Sequence, residues 1–224
     1  MITLALDAST YTGSVAVADG ASILAVREAT MRGADAERLL PAVASALDAS
    51  GIAAGDLDAI VCGGGPGSFT SLRIAGSIAK GIAEATGRPL FAVPSLLLAV
   101  AGMQPPALPG RYLPLLDAMR DEYYAALIEV GSDGTFAGGS DWHIIARTDA
   151  GHEADRLEAI AVGAGTATDV APHARGIARL ERWLGECRPR CGPVDLAAWE
   201  PDYGRVAEAQ RRWEAAAGRP LPAA

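Results

Sequence analysis

The sequence predicts an α/β fold with two lobes, each a mixed sheet flanked by helices. In the first half, three strand patterns precede alternating helix and strand patterns. This is the order of an antiparallel meander that continues into parallel strands with crossover helices, here a five-stranded sheet. Residues 104–110 then hold three prolines and a glycine, a composition typical of a linker. We therefore expect one lobe at residues 1–103, which a helix at 206–217 could complete, and a smaller lobe at 111–205.

The elements of the first lobe follow from the spacing of apolar residues. Alternation of apolar and polar residues predicts strands, and apolar stripes at helical spacing predict helices. Pro41 lies inside the first helical pattern, so that helix either begins near it or is kinked there. In chain order we predict strands at 2–8, 14–18 and 23–27, a helix at 36–49 capped by Asp35, a strand at 57–62, a helix at 69–85, a strand at 90–93 and a helix at 94–101.

The second lobe repeats the same theme in reduced form, although no residues of the two halves align convincingly. Residues 122–130 are rich in strand-forming types, and Ser132-Asp133-Gly134 marks a hairpin turn. The predicted elements are strands at 112–116 and 122–130, a strand that ends near Ile145, a buried strand at 157–163, and helices at 177–187 and 206–217.

Composition and charge limit the function classes. Half of the 224 residues are hydrophobic, so the chain can bury a substantial core. The formal net charge is −8, and the pI is about 4.9. This acidity argues against a protein that grips nucleic acid by itself, because binding to phosphates requires a basic surface. The longest apolar stretch, near residues 96–103, is shorter than the roughly 20 residues of a membrane span.

The cysteines and the N-terminus indicate a cytoplasmic protein. Three cysteines without a CxxC pair fit neither a disulfide framework nor a zinc site. Cys62 is predicted to be a small core residue at the end of a strand, and a reducing compartment is the simplest setting. The first ten residues lack a basic region and carry Asp7 within their apolar run, so they do not resemble a signal peptide.

A glycine-rich loop at residues 62–68 allows two interpretations. Its glycines permit backbone angles that are closed to other residues, and Ser68 and Thr70 can cap the helix that follows. The loop could cradle an anion at the helix N-terminus. It could equally be a strand-to-helix turn that needs glycine for geometry alone, since the lysine of the phosphate-binding P-loop pattern is absent.

The helix at 69–85 has two different apolar faces beside one polar stripe. Ile74, Ile78 and Ile82 form a bulky face, which we expect to lie on the chain's own sheet. The opposite face consists of small residues that would let another helix approach closely. We predict that this second face, with the neighbouring arginine, is a partner interface formed by Leu72, Arg73, Gly76, Ala79 and Ala83.

Four short motifs are spread along the chain: Leu4-x-Leu6-Asp7-x-Ser9-Thr10, Gly65-Pro66-Gly67-Ser68-Phe69-Thr70-Ser71-Leu72-Arg73, Asp117-Ala118-x-Arg120-x-Glu122-x-Tyr124 and Pro201-x-Tyr203-x-Arg205. The first motif, together with the duplicated lobes, is similar to the actin, hexokinase and Hsp70 superfamily (ASKHA fold). The four together closely resemble the TsaB (YeaZ) family. The second motif is the most specific of them, and the last is weak alone.

The resemblance implies a partner subunit that is not itself catalytic. TsaB proteins bind TsaD in the bacterial complex that places threonylcarbamoyl on N6 of adenosine 37, in tRNAs reading codons that start with A. TsaE supplies an ATPase in the larger complex. The resemblance also implies a homodimer when the protein is alone, contact with tRNA only through the complex, and no resident cofactor or metal, with a nucleotide allowed at the complex interface.

The chain departs from the family pattern at three places. Asp35-Ala36-Glu37 stands where His-Ser-Glu is common, Ser71 where glycine is usual, and Met119 where arginine is usual. The first departure removes a polar group, and the serine stiffens the glycine-rich loop slightly.

The alternative is an active small-molecule kinase or acyltransferase of the ASKHA superfamily. Asp7, Ser9 and Thr10 stand where a first phosphate-binding loop would lie. The second such loop would begin at Asp117, but residues 118–121 lack the glycines that let a backbone approach phosphates. A metal site like that of TsaD needs two histidines one turn apart on the first helix. Residues 31–50 contain none, and we expect the three histidines, His143, His152 and His173, to lie on the surface or in loops.

Overall fold

The computed structural model describes residues 1–33, 38–187, 193–205 and 216–218. The first sheet has five strands in the order β3-β2-β1-β4-β5, with β1 antiparallel to β2 and parallel to β4. This confirms the predicted mixed sheet. The elements are β1 (Ile2–Asp7), β2 (Thr12–Asp19), β3 (Ser22–Thr30), α1 (Leu39–Ser50), β4 (Ala59–Gly63), α2 (Phe69–Thr86), β5 (Leu90–Val93) and α3 (Ser95–Ala101).

The second sheet has six strands. Its central strand, at Gly110–Asp117, pairs antiparallel with the strands at Glu122–Ala125 and Ile128–Val130 along one edge. Along its other edge it pairs parallel with the strand at Ile160–Gly163. The predicted α/β fold with mixed sheets flanked by helices is thereby confirmed. Its elements are β6 (Gly110–Asp117), β7 (Glu122–Ala125), β8 (Ile128–Val130), β9 (Phe136–Gly138), β10 (His143–Ala146), α4 (Ala150–Arg156), β11 (Ile160–Gly163) and α5 (Glu181–Cys187).

Three strand predictions in this sheet need correction. The single strand predicted to end near Ile145 is two strands, β9 and β10, which pair with β8 and β7 respectively. The pattern at 122–130 is two strands because its ladder with β6 is interrupted opposite Pro114, which has no N–H to donate. The predicted buried strand at 157–163 begins only at Ile160, a residue that is 57% exposed. Helix α4 precedes it and was missed, since its seven residues are too few to set up a clear helical period.

The termini of α1 bear on two further predictions. The helix begins at Leu39, which places Pro41 in its first turn, where proline is tolerated. The proposed cap, Asp35, and residues 206–215 of the predicted terminal helix lie outside the described residues. The helix predicted at 177–187 is a 3-10 helix at Ala174–Arg179 followed by α5.

The core is arranged in layers. Helices α1 and α2 cover one face of the first sheet, with the buried side chains of β1 and β4 between. On the other face lies α3, all seven of whose residues are buried. The cluster around α3 includes Val61 and Val93 of the first sheet and Ile128 and Val162 of the second. The two sheets thus share one core, and the lobe boundary at 104–110 stays a prediction.

Two smaller expectations can be compared directly with the structure. Cys62 is fully buried and unpaired, as predicted. Across the described residues, no helix combines the length and apolar character needed to cross a membrane.

His173 lies in a loop, as expected, but its side chain is only 14% exposed. Its Nδ1 accepts the Arg175 N–H at 3.0 Å, and its Nε2 lies 3.0 Å from the Glu28 carboxylate and 2.7 Å from the Arg175 guanidinium. Burial lowers the pKa of His173, and the Arg175 charge lowers it further, against the opposing pull of Glu28 and Asp7.

This environment predicts a loss of stability on mild acidification. Above an unfolded pKa of about 6.5 the ring is neutral in both states. As the pH falls below that value, the unfolded chain takes up the proton first, so the free energy of unfolding decreases until the folded pKa is passed. Urea unfolding at pH 7 and pH 5 measures the decrease, and His173→Gln should reduce it. His152→Gln, at an exposed histidine, should leave the decrease between pH 7 and pH 5 unchanged. An equal decrease in the two variants would contradict the role assigned to His173.

Candidate functional site: a helical groove and a junction of motifs

The glycine-rich loop is packed against the chain's own backbone. The N–H of Gly64 donates to Val93 at 2.7 Å, that of Gly65 to the Ser95 hydroxyl at 3.1 Å, and that of Ser68 to the Ser9 carbonyl at 2.8 Å. A Cβ added at Gly67 would collide with the Ser9 backbone. The glycines therefore serve close packing, which favours the turn interpretation over the anion cradle.

Asp7 is the best-satisfied polar residue of the interior. It is fully buried, and one carboxylate oxygen accepts the Ser9 N–H at 3.0 Å and the Ser9 hydroxyl at 2.7 Å. The other oxygen accepts the Ser95 hydroxyl at 2.7 Å. Burial raises the pKa of Asp7 despite these donors. The Thr10 hydroxyl is likewise engaged, with the backbone of Thr12. The three residues predicted for phosphate binding, Asp7, Ser9 and Thr10, thus direct these groups to the chain's own atoms.

The prediction for the faces of α2 is wrong. Leu72, Gly76, Ala79 and Ala83 are buried, whereas Ile74, Ile78 and Ile82 are only partly so. Ala79 and Ala83 are small enough to pack closely on the core of β1 and β4, against which the isoleucines also pack in part. Gly76 faces Pro201 and Trp199 instead. Of the five residues predicted for the partner interface, only Arg73 is exposed.

An exposed apolar groove lies instead between α1 and α2. Leu40 of α1 is 50% exposed, and it faces a groove of about 530 Å³. Exposed Arg73 and Ser77 lie beside the apolar side chains in its lining. Leu40 was missed as an interface residue because the sequence places it in the same apolar stripe as buried Leu39. The groove is lined by Leu40, Phe69, Thr70, Arg73, Ile74, Ser77 and Ile78.

A C-terminal strap, residues 193–205, runs from the first sheet to the second. It begins beside β5, where the Val194 N–H donates to Leu90 at 2.8 Å. It passes the glycine-rich loop, where the Asp202 N–H donates to the Gly64 carbonyl at 2.7 Å. It reaches the second sheet at Glu122 of β7, which forms an ion pair with Arg205.

The strap brings three of the four sequence motifs together. The ring centroids of Tyr203 and Phe69 are 4.4 Å apart. The next strap residue, Gly204, packs against the Tyr124 ring. Trp142 donates its indole N–H to the Asp202 carboxylate at 2.9 Å. Residues 65–73, 117–124 and 201–205 therefore meet at one junction, although the sequence separates them widely. The motif residues Gly65, Pro66, Gly67, Ser68, Phe69, Thr70 and Glu122 lie at or beside it.

Of the remaining motif residues, Asp117 ends β6 and Arg120 lies in the turn between β6 and β7. Met119, Arg120 and Asp121 all have φ near 60°, an unusual run for residues other than glycine. Asp117 stabilises the turn by accepting the Met119 N–H at 2.8 Å and the Arg147 guanidinium at 3.0 Å. Asp117 thus forms an ion pair with Arg147, and Arg120 lies exposed on the turn.

Comparisons with known proteins agree with these features. Residues 33–139 match the family described as TsaD: tRNA N6-adenosine threonylcarbamoyltransferase. The chain is 35% identical over 130 residues to the "tRNA threonylcarbamoyladenosine biosynthesis protein TsaB" of Bacillus subtilis, covering 58% of this chain and 56% of that protein. The Escherichia coli protein of the same name is 33% identical over 135 residues, covering 60% and 58%. These matches span a little over half the length of either relative.

Solved structures extend the similarity to nearly the whole chain. YeaZ from Pseudomonas aeruginosa superposes with a TM-score of 0.70 at 27% identity, covering 90% of this chain and 99% of that one. A second Pseudomonas aeruginosa structure, of a protein with similarity to peptidase YeaZ, gives a TM-score of 0.71, also at 27% identity, and covers 91% and 99%.

Proposed function

This chain resembles the TsaB (YeaZ) family in sequence and in fold, and from that premise we propose that it is a non-catalytic partner subunit that binds TsaD. In this role it supports the transfer of threonylcarbamoyl to N6 of adenosine 37 in tRNAs that read codons starting with A. TsaE would join the larger complex, and tRNA would be bound through the complex rather than by this acidic chain alone. Without TsaD, the same surface would pair two copies.

The observation that carries the proposal is the groove between α1 and α2. An apolar depression with a half-exposed leucine and partly exposed isoleucines is typical of a contact surface. The match to the TsaD family covers residues 33–139 and so includes both helices. A TsaD partner would therefore carry a related helix pair, and two related surfaces can pack about a pseudo-two-fold axis.

The contacts of Asp7 support a non-catalytic role. A carboxylate that holds a metal-bound water or accepts a proton must reach the substrate. Here both carboxylate oxygens are bonded to the chain's own groups, and the residue is fully buried. The strap residue Asp202 adds a backbone bond to the adjacent loop. These contacts favour a structural role for the motif that contains Asp7, Ser9 and Thr10, which in a kinase would bind phosphate.

Ile78→Asp tests the proposal, because it places a carboxylate in the groove on a partly exposed residue. Wild-type chain mixed with TsaD of the same organism should form a heterodimer by light scattering. Ile78→Asp should weaken it at least about 30-fold, since a buried unpaired charge costs more than about 2 kcal/mol. Because the Ile78 side chain also packs in part against the core of the first sheet, the Tm should fall, so binding is compared at a temperature at which the variant is folded.

Ile160→Asp is the matched control, because it makes the same change at an exposed isoleucine of β11, in the other sheet. It should bind TsaD like the wild type. Failure of the wild-type chain to bind TsaD, or equal binding by Ile78→Asp, would refute the proposed docking.

A further inference from the structure

We infer that the C-terminal strap holds the first turn of α2 in the conformation that the partner binds, with Tyr203 as the positioning residue that acts through Phe69. The inference rests on the proposed function for the identity of the partner, a TsaD subunit. It assigns the motif at residues 201–205 a task in assembly without requiring it to touch the partner.

The first turn of α2 needs support from outside the helix. Its N-cap residue, Ser68, makes no capping bond from its side chain to the helix backbone, and no acidic residue occupies the first turn. The Ser68 hydroxyl instead pairs with that of Ser71 at 3.0 Å. Helix N-termini without such caps leave backbone donors unsatisfied and fray easily. Phe69 begins this turn and also lines the groove.

The strap supplies that support at two points. The Tyr203 and Phe69 rings are tilted by 47° at a centroid separation of 4.4 Å, and the Arg73 guanidinium lies 5.3 Å from the Phe69 centroid. The Phe69 side chain is therefore held by one strap residue and one residue of its own helix. One turn later, Pro201 and Trp199 approach Gly76 so closely that an added Cβ would lie 3.1 Å and 3.5 Å from them.

The far end of the strap is anchored independently of the groove. Arg205 forms an ion pair with Glu122 of β7, and Gly204 packs against the Tyr124 ring. Trp142, also in the second lobe, bonds to the Asp202 carboxylate. The second sheet thus determines where Tyr203 lies, and Tyr203 determines where Phe69 lies.

An ordered first turn of α2 lowers the free-energy cost of binding the partner. A partner that meets an ordered first turn does not have to order it, and the affinity scales with the fraction of molecules already in the competent conformation. Removing the Tyr203 ring should lower that fraction while leaving every groove residue in place.

The experiment measures two quantities for each variant: hydrogen exchange of residues 69–73 in the free chain, and the Kd for TsaD. Tyr203→Ala should speed exchange of this segment and weaken binding about 10-fold, which corresponds to about 1.4 kcal/mol. Tyr203→Phe keeps the ring and should behave as wild type in both. Leu108→Ala, at a 74% exposed apolar residue away from the groove lining, is the control and should change neither quantity.

Glu122→Gln is the second variant, for use if Tyr203→Ala does not fold. It loosens the strap from the other lobe and should shift both quantities in the same direction by a smaller factor. Unchanged hydrogen exchange of residues 69–73 in Tyr203→Ala and Glu122→Gln would overturn the inference. Faster exchange in these variants with an unchanged Kd for TsaD would overturn it as well. Loss of affinity in Tyr203→Phe would mean that the hydroxyl, rather than the ring against Phe69, carries the effect, which also overturns the inference. If even the wild-type chain fails to bind TsaD, the proposed function fails, while the exchange data still decide whether the strap orders α2.

Discussion

Ala79→Arg is expected to unfold the first lobe. Ala79 is fully buried on the sheet side of α2, packed with the core of β1 and β4. An arginine there would have to bury an unpaired charge and expand a close-packed layer. Each effect alone costs several kcal/mol. Together they should exceed about 4 kcal/mol, a large fraction of the 5–15 kcal/mol that stabilises a typical domain. Thermal melting should show a strongly lowered or absent transition.

Ser77→Arg provides the control on the same helix. Ser77 is exposed in the groove, so the same side chain placed there should leave the Tm within about 2 °C of the wild type. A normal melt for Ala79→Arg would contradict the buried position of the small-residue face. It would restore the alternative in which that face is available to a partner.

Asp7→Ala should cost about 3 kcal/mol, the second-largest effect we expect from a single substitution. The change leaves the Ser9 N–H and two serine hydroxyls without their acceptor in the interior. An unsatisfied buried donor costs about 1–3 kcal/mol, and the hydroxyls can partly reorient. For a chain of this size the Tm should fall by roughly 6–12 °C. Asp48→Ala, at an exposed position of α1, should leave the Tm nearly unchanged.

ATP turnover separates this structural role from a catalytic one. The isolated wild-type chain should hydrolyse no ATP above background, and Asp7→Ala should change stability alone. Steady hydrolysis by the wild type that disappears in a folded Asp7→Ala variant would instead support the kinase alternative.

Local patterns were enough to predict the first sheet. The strand at 90–93 was predicted to the residue, and the meander of β1 to β3 within a few residues, because period-2 alternation between turn residues is a local signal. The faces of α2 were not predictable in this way. Periodicity shows that Ile78 and Ala79 lie on different faces, but it does not say which face the sheet covers. Here the need for close packing placed the alanines inside.

The partners of the motif residues were beyond the reach of sequence spacing. Glu122 pairs with Arg205 and Asp117 with Arg147, although Arg120 is much nearer to both carboxylates along the chain. Three consecutive left-handed residues form the turn that contains Arg120. Contacts between distant segments depend on the tertiary fold, and a single sequence gives no signal for them.

The buried position of α3 restricts how this molecule can move. Two-lobed proteins that close around a ligand do so by hinging or by sliding of packed elements, and both require an interface that can shift. Here an apolar helix lies between the sheets, with Leu96, Leu97 and Leu98 fully buried. Each such side chain contributes about 1.5–3 kcal/mol by its burial. Opening the lobes would expose this layer to water, so the burial of α3 opposes movement of one sheet against the other.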